Sequence, residues 1–194
     1  MKKLILLMIL PLLISAVPAL AQQWQPDPYH TRFYFEVRHI YATVRGEFAD
    51  FTGDIAFDPD HPETSHFNFV VKTKSVNTNV DLRDADLRSN QFFAVGTYPE
   101  MTFKSSRVTR EADNRYRVDG LLTIKDVTKE WPLEFVYYGQ KVDPLQPGKI
   151  VAGLDSNFTL DRLTFHVGDG KFYKMGAIGK DVKVLITIEM LRDK

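Results

Sequence analysis

The sequence predicts an all-β fold: eight antiparallel strands closed into a barrel, with one short helical segment. Three observations predict it. Apolar and polar residues alternate at period two through most of the chain beyond Arg32, turn signals divide the runs, and only two stretches break the alternation. Eight such strands can stack as a sandwich or close on themselves. Closure removes both sheet edges and leaves a lumen that is either packed solid or able to hold one small ligand.

Taken in order, the first strand places Phe33, Phe35, Val37, His39 and Tyr41 on one face and Arg32, Tyr34, Glu36 and Arg38 on the other. The second runs from about Thr43 to Phe57. Its apolar set begins as Val44, Gly46 and Phe48, then slips phase to Phe51, Gly53, Ile55 and Phe57, which predicts a bulge at Ala49-Asp50. Phe67, Phe69, Val71 and Thr73 mark the third strand, and Met101, Phe103 and Ser105 the fourth. Tyr116, Val118, Gly120, Leu122 and Ile124 make the fifth, and Trp131, Leu133, Phe135 and Tyr137 the sixth. The seventh carries Ile150 to Leu160 on alternate positions, and Val182 to Met190 closes the chain. Turns are expected at Asp58–Pro62, Asp113-Asn114 and Gln146-Pro147-Gly148. The exceptions are Val80–Val95, read as one or two helical turns with an apolar foot, and the glycine-rich Arg162–Gly179, read as a long loop with room for a helical turn.

The N-terminus reads as a cleavable signal peptide. Lys2 and Lys3 precede an apolar run from Leu4 to Val17, and Ala19-Leu20-Ala21 offers small residues where a signal peptidase cuts, after Ala21. The run is short for a bilayer crossing and is followed by Gln22-Gln23 rather than by basic residues. Residues 22–194 are then one exported domain, and the short basic start and Ala-Leu-Ala site suggest the periplasm of a Gram-negative cell. That segment holds 23 basic and 25 acidic residues, which gives no footprint for nucleic acid. The chain has no cysteine, so disulfides, thiolate metal sites and cysteine nucleophiles are excluded. Charged outward positions such as Arg32, Glu36, Lys72, Lys104, Glu134 and Lys183 argue against a barrel facing lipid, and no membrane span is expected after cleavage.

No nucleophile elbow, zinc helix or phosphate loop is present. His30 and His39 are read on one strand, facing opposite ways. His61 and His66 beside Asp58, Asp60 and Glu63 are weighed as a weak divalent site against a solvated turn, and the turn is preferred. No metal and no cofactor is expected. His39 lies on the apolar face, as a satisfied core residue or as a polar handle for a ligand. The aromatic content, 14 Phe, 8 Tyr and 2 Trp, fits a packed core or the walls of an elongated apolar pocket.

Several stretches resemble one family. They are Phe35-Glu36-Val37-Arg38-His39 with Val44-Arg45-Gly46-Glu47-Phe48 and Phe51-Thr52-Gly53, and Lys74-Ser75-Val76-Asn77-Thr78 with Asp86-Leu87-Arg88-Ser89-Asn90-Gln91-Phe92-Phe93. Tyr98 to Ser105, Gly120 to Lys129 and Leu160-Asp161-Arg162 through Phe165 continue the match. In these the chain resembles the YceI-like family of secreted bacterial proteins, described as polyisoprenoid-binding and lipocalin-like. Two positions depart from its pattern: Asp126 and His166 each stand where the family commonly has glycine. The resemblance implies a lipocalin-like barrel whose lumen holds a long apolar chain, a polyisoprenoid or an isoprenoid quinone.

Three readings follow. The first is a carrier of such a lipid, with Phe33, Phe35, Val37, Phe48, Phe69, Phe103, Leu122, Phe135 and Phe158 lining the lumen. Leu87, Phe92 and Phe93 would form a helical lid, and His39 and Arg88 would meet the headgroup. The second is an enzyme on a small or lipid-like substrate, with His39 or His166 as general base. The third is an interaction module with a packed barrel, bound through the Arg162–Gly179 loop. A homodimer is compatible with the first and third.

Overall fold

The computed structural model describes residues 21–194, so the expected signal peptide, but for Ala21, lies outside the described residues. Twelve strand segments and two α-helices follow one another: β1 (Gln23–Pro26), β2 (Arg32–His39), β3 (Ala42–Phe48), β4 (Phe51–Ala56), β5 (His66–Lys72), β6 (Val76–Asn77), α1 (Asp81–Arg88), β7 (Glu100–Ala112), β8 (Arg115–Ile124), β9 (Val127–Glu130), β10 (Leu133–Val142), β11 (Lys149–Asp161), α2 (Lys171–Lys174) and β12 (Ile178–Asp193). All pairings are antiparallel.

The twelve segments amount to eight rungs, because four of the rungs are each built from two collinear pieces. β1 and β2 together flank β4 and β3 on one side and β12 on the other. β4 pairs with β5 while β3 pairs with β6. β9 and β10 share β8. With β7, β8, β11 and β12 the ring closes, each rung beside its sequence neighbours and the last beside the first.

Each interruption has a local cause. At Ala49-Asp50 the predicted phase slip divides what the sequence read as one strand, and it leaves both Phe48 and Phe51 packed inward. At Trp131-Pro132 the missing proline N–H breaks the ladder. Trp131 N–H still donates to the Gly120 carbonyl at 2.8 Å, and regular pairing resumes at Leu133. The first rung is interrupted at Asp27–Thr31, and His30 sits in that turn, not on the strand that carries His39.

That turn is clamped. His30 Nδ1 lies 2.8 Å from Asp27 Oδ2 and 3.2 Å from Glu189 Oε1 on β12, beside the seam where the barrel closes. Burial pushes the Asp27 carboxyl up, but hydrogen bonds from His30 and from the Tyr29 N–H outweigh it, and the net shift is downward. The hydrogen bond to Asp27 and the charge of Glu189 raise His30 above its ordinary value. A raised histidine favours the folded state below about pH 6.5, and that contribution is lost as pH rises through the folded value. We therefore expect the His30 imidazole to titrate above 6.5 by NMR. His30→Ala should lower the melting temperature at pH 5.5 more than at pH 8.5, and equal shifts at both pH values would refute the clamp.

The interior is filled unevenly. At one end Trp24, Phe57, Tyr116, Phe135 and Tyr137 pack with Ile55 and Met190 into a solid floor. Phe57 meets Tyr116 at 5.2 Å and Tyr137 at 5.1 Å, both edge to face, which suits the ring quadrupoles. The inward hydroxyl of Ser156 is satisfied by the Glu134 carbonyl at 2.6 Å. Outside, strands are cross-linked by ion pairs such as Glu36–Arg45 at 2.6 Å and Lys72–Glu100. Among the described residues no helix is long and apolar enough to cross a membrane.

Candidate lipid-binding site

Above the floor the barrel is hollow, with a cavity of about 630 Å³, within the range of ligand pockets. Its wall follows from strand alternation. Phe33, Phe35, Val37, Phe48, Phe69, Phe103, Leu122, Phe135 and Phe158 all border it, as do Met101, Val182, Val184 and Ile186. Phe35 lies across Gly46, its register partner, and a methyl group on Gly46 would stand 2.4 Å from the ring. Only glycine lets the ring lie flat on the wall there.

One side of the upper barrel is covered by something other than a strand. Beyond Glu47 and Phe48, β3 has β2 alone as a partner, because the chain leaves β6 for α1. Three side chains pin α1 to β6 and the residues that flank it. Buried Asp84 accepts from Thr78 N–H at 2.9 Å and from Thr78 Oγ1 at 2.6 Å. Arg83 donates to the Thr78 carbonyl at 2.9 Å, and Arg88 to the carbonyls of Lys74 at 2.9 Å and Val76 at 2.6 Å. Arg88 is therefore a fastener of the lid. It does not border the cavity, contrary to the expectation of a headgroup contact, because the strand backbone takes its donors.

The lid itself is only partly helical. Leu87 is on α1, whereas Phe92 and Phe93 belong to the turns that follow. Phe93 meets Phe48 edge to face at 5.4 Å, and Phe92 stacks on Phe172 of α2 at 6.2 Å. His39 ends β2 at the exposed rim, so it borders the opening and not the core. Arg83, Asp86 and Gln91 also border the mouth, which gives an apolar shaft with polar groups gathered at its entrance.

Sequence reasoning missed Arg162. It borders the cavity, is only 5 % exposed, and donates to the carbonyls of Gly179 at 2.8 Å, Val167 at 2.6 Å and Ile178 at 3.4 Å. Burial lowers its pKa, opposed by the charges of Asp161 and Asp169. Gly168 makes room for it: a Cβ there would stand 2.4 Å from Nη1, and the backbone lies at φ +89°. The signal was present as a lone arginine beside Gly168 and Gly170, but a charge in a glycine-rich stretch reads as a solvated loop.

The weighed histidine cluster does not converge. His61 pairs with Asp58 at 3.2 Å, while His66 turns to Asp54 on the neighbouring strand at 3.1 Å. Among the described residues the only group of three ligand-type side chains with converging atoms is Asp27, His30 and Glu189, the clamp at the seam.

A barrel with this wall and lid matches known proteins. The model of the YceI-like domain matches residues 24–190, almost all of the described chain. The chain belongs to the YceI-like family. A UPF0312 protein of Pectobacterium atrosepticum is 34% identical over 196 residues, covering 100% of this chain and 98% of its own. Among solved structures, the Campylobacter jejuni YCEI protein is similar with a TM-score of 0.69 and 27% identity, over 79% of this chain and 87% of that one. A polyisoprenoid binding domain from Saccharophagus degradans shares the fold, with a TM-score of 0.62 and 15% identity over 89% of this chain and 98% of that one.

Asp126 and His166, the two positions where the resemblance leads one to expect glycine, meet each other. His166 Nδ1 lies 3.0 Å from Asp126 Oδ2, and Lys125 Nζ donates to the His166 carbonyl at 2.6 Å. The hydrogen bond from His166 holds the Asp126 carboxyl below its ordinary value. His166 sits at φ 55°, the left-handed region where glycine is at ease, so the pair ties down a turn that glycine would leave free.

Proposed function

We propose that this protein binds one long apolar molecule of the isoprenoid class, a polyisoprenoid or an isoprenoid quinone, in the barrel lumen and carries or shields it in the periplasm. The observation that carries the reading is the cavity of about 630 Å³ with an almost wholly apolar wall and polar groups confined mainly to its mouth. Kinship with the YceI-like family and the shared fold of a polyisoprenoid binding domain support it. Each methylene moved from water into such a wall contributes about 0.8 kcal/mol, so roughly ten give about 8 kcal/mol before ordering costs. Micromolar binding needs no strong polar contact. Export would follow from the signal peptide ending at Ala21.

Native mass spectrometry of the protein purified from periplasm, followed by lipid extraction, tests this. The expected result is one prenyl-chain lipid per barrel. A fatty acid would keep the carrier and reject the ligand class. An empty barrel that refuses added prenols and quinones would reject the reading, and would leave a module that binds partners through its loops.

A further inference from the structure

We propose that the rim of the barrel mouth is a membrane-docking surface, which seats the cavity on an anionic phospholipid bilayer. This rests on the lipid-binding reading and names the partner it requires. The first observation is a group of bare apolar side chains at the mouth; Tyr29, Tyr138 and Leu145 are bare elsewhere, but apart from the lumen. Ile40 is 53% exposed and Tyr41 89% in the β2–β3 hairpin, and Tyr173 is 45% and Met175 67% exposed at α2. These two segments are joined: Ile40 N–H donates to the Ala177 carbonyl at 2.9 Å, and His39 is the register partner of Ile178. Met175, His39 and Ala177 also border the cavity, so the exposed patch adjoins the lumen.

The second observation is the hairpin turn. It has two residues, and Ile40 occupies it at φ 50°. A β-branched side chain is strained in that region, and turns of this kind ordinarily take Gly, Asn or Asp there. An exposed, strained isoleucine followed by a bare tyrosine has no packing reason, but it gives an apolar wedge with an amphipathic ring that suits the bilayer interface.

The third is charge. Arg38 on β2 and Lys171 and Lys174 on α2 flank the patch, and among the described residues none of the three is in an ion pair. Asp169, the nearest acid in sequence to α2, is turned back on the Lys171 N–H at 2.9 Å. The opposite lip, on α1, carries Asp81 and Asp86 with Leu82, so it is the hairpin and α2 that meet the anionic surface. Basic side chains around bare apolar ones match anionic headgroups over acyl chains. A lipid leaving the bilayer would then pass from one apolar phase to another without crossing water.

The test is co-sedimentation of the mature protein with vesicles of phosphatidylglycerol and phosphatidylethanolamine, against phosphatidylcholine alone. Binding of the prenol farnesol is measured separately as a report on the cavity. The wild type should partition to the anionic vesicles and weaken at high salt. The double variant Ile40→Asp/Tyr41→Asp, whose first change relieves the turn, should bind them at least tenfold less. Lys171→Glu/Lys174→Glu should lose the preference for anionic lipid. Both should fold and still bind the probe. Unchanged partitioning of either variant, or a wild type that ignores vesicles, would overturn the proposal. A dimer that dissociates in the Tyr41 variant would also overturn it and give the patch to a second copy. Failure of the probe to bind while vesicle association persists would reject the cavity reading and leave the docking surface standing.

Discussion

Arg162→Met is expected to lower the melting temperature by roughly 10 °C. Methionine fills similar space, but the carbonyls of Gly179, Val167 and Ile178 lose their donor. Hydrogen bonds to a charged group contribute about 1.5–3 kcal/mol each, and breaking such a buried set costs about 3–5 kcal/mol in total. For a domain of this size each kcal/mol is worth about 2–4 °C. Those carbonyls belong to the start of β12 and to the turn before α2, so the mouth of the cavity should loosen as well. Arg162→Lys keeps the charge but cannot present a planar fork, and it should recover only part of the loss. A melting curve within about 2 °C of wild type for the methionine variant would show that the three contacts are not coupled to folding.

Phe35→Asp should reduce lipid affinity by at least about 100-fold, which corresponds to about 2.7 kcal/mol. The ring lies between Gly46 and Phe48, whose ring centroid is 5.6 Å away, and faces the lumen. A carboxyl there either stays charged and holds water in the shaft or takes up a proton, and each is costly in an apolar cavity. Phe35 is only half-buried, so the fold should survive. Leu185→Asp on the outer face of β12 is the control and should bind normally. Equal lipid recovery from the two variants, both folded, would remove Phe35 from the wall.

Much of this was legible before any coordinates. Period-two alternation located all eight rungs, since a strand with one wet and one dry face has no other grammar. The phase slip between Phe48 and Phe51 marked the right place, although it reads as a bulge and the strand divides there into β3 and β4. What stayed hidden depended on contacts distant in sequence. β1 is four residues long and ends in proline, too short to show a period, and its place depends on β4 and β12. Arg88 and Arg162 look alike on paper. Only the fold shows that one reaches backwards to a strand and the other inwards to three carbonyls. His39 shares parity with Phe33 and Phe35, yet parity is silent about height along the barrel, and the strand ends just where the wall does.

The seam has a consequence for how the chain is assembled. Around the ring every rung neighbours the one before it in sequence, except where β12 meets β1 and β2. The tight hairpins β2–β3, β7–β8 and β8–β9 can form as the polypeptide lengthens, because their two-residue loops are cheap to close. The ring cannot. Trp24 and Phe33 wait for partners at the far end of the chain, and until β12 arrives the free edges of β2 and β11 remain templates for any other strand. A nascent or truncated chain that stops before Ile178 therefore lacks the rung that closes the ring, and it carries two unpaired edges, each able to take up a foreign strand.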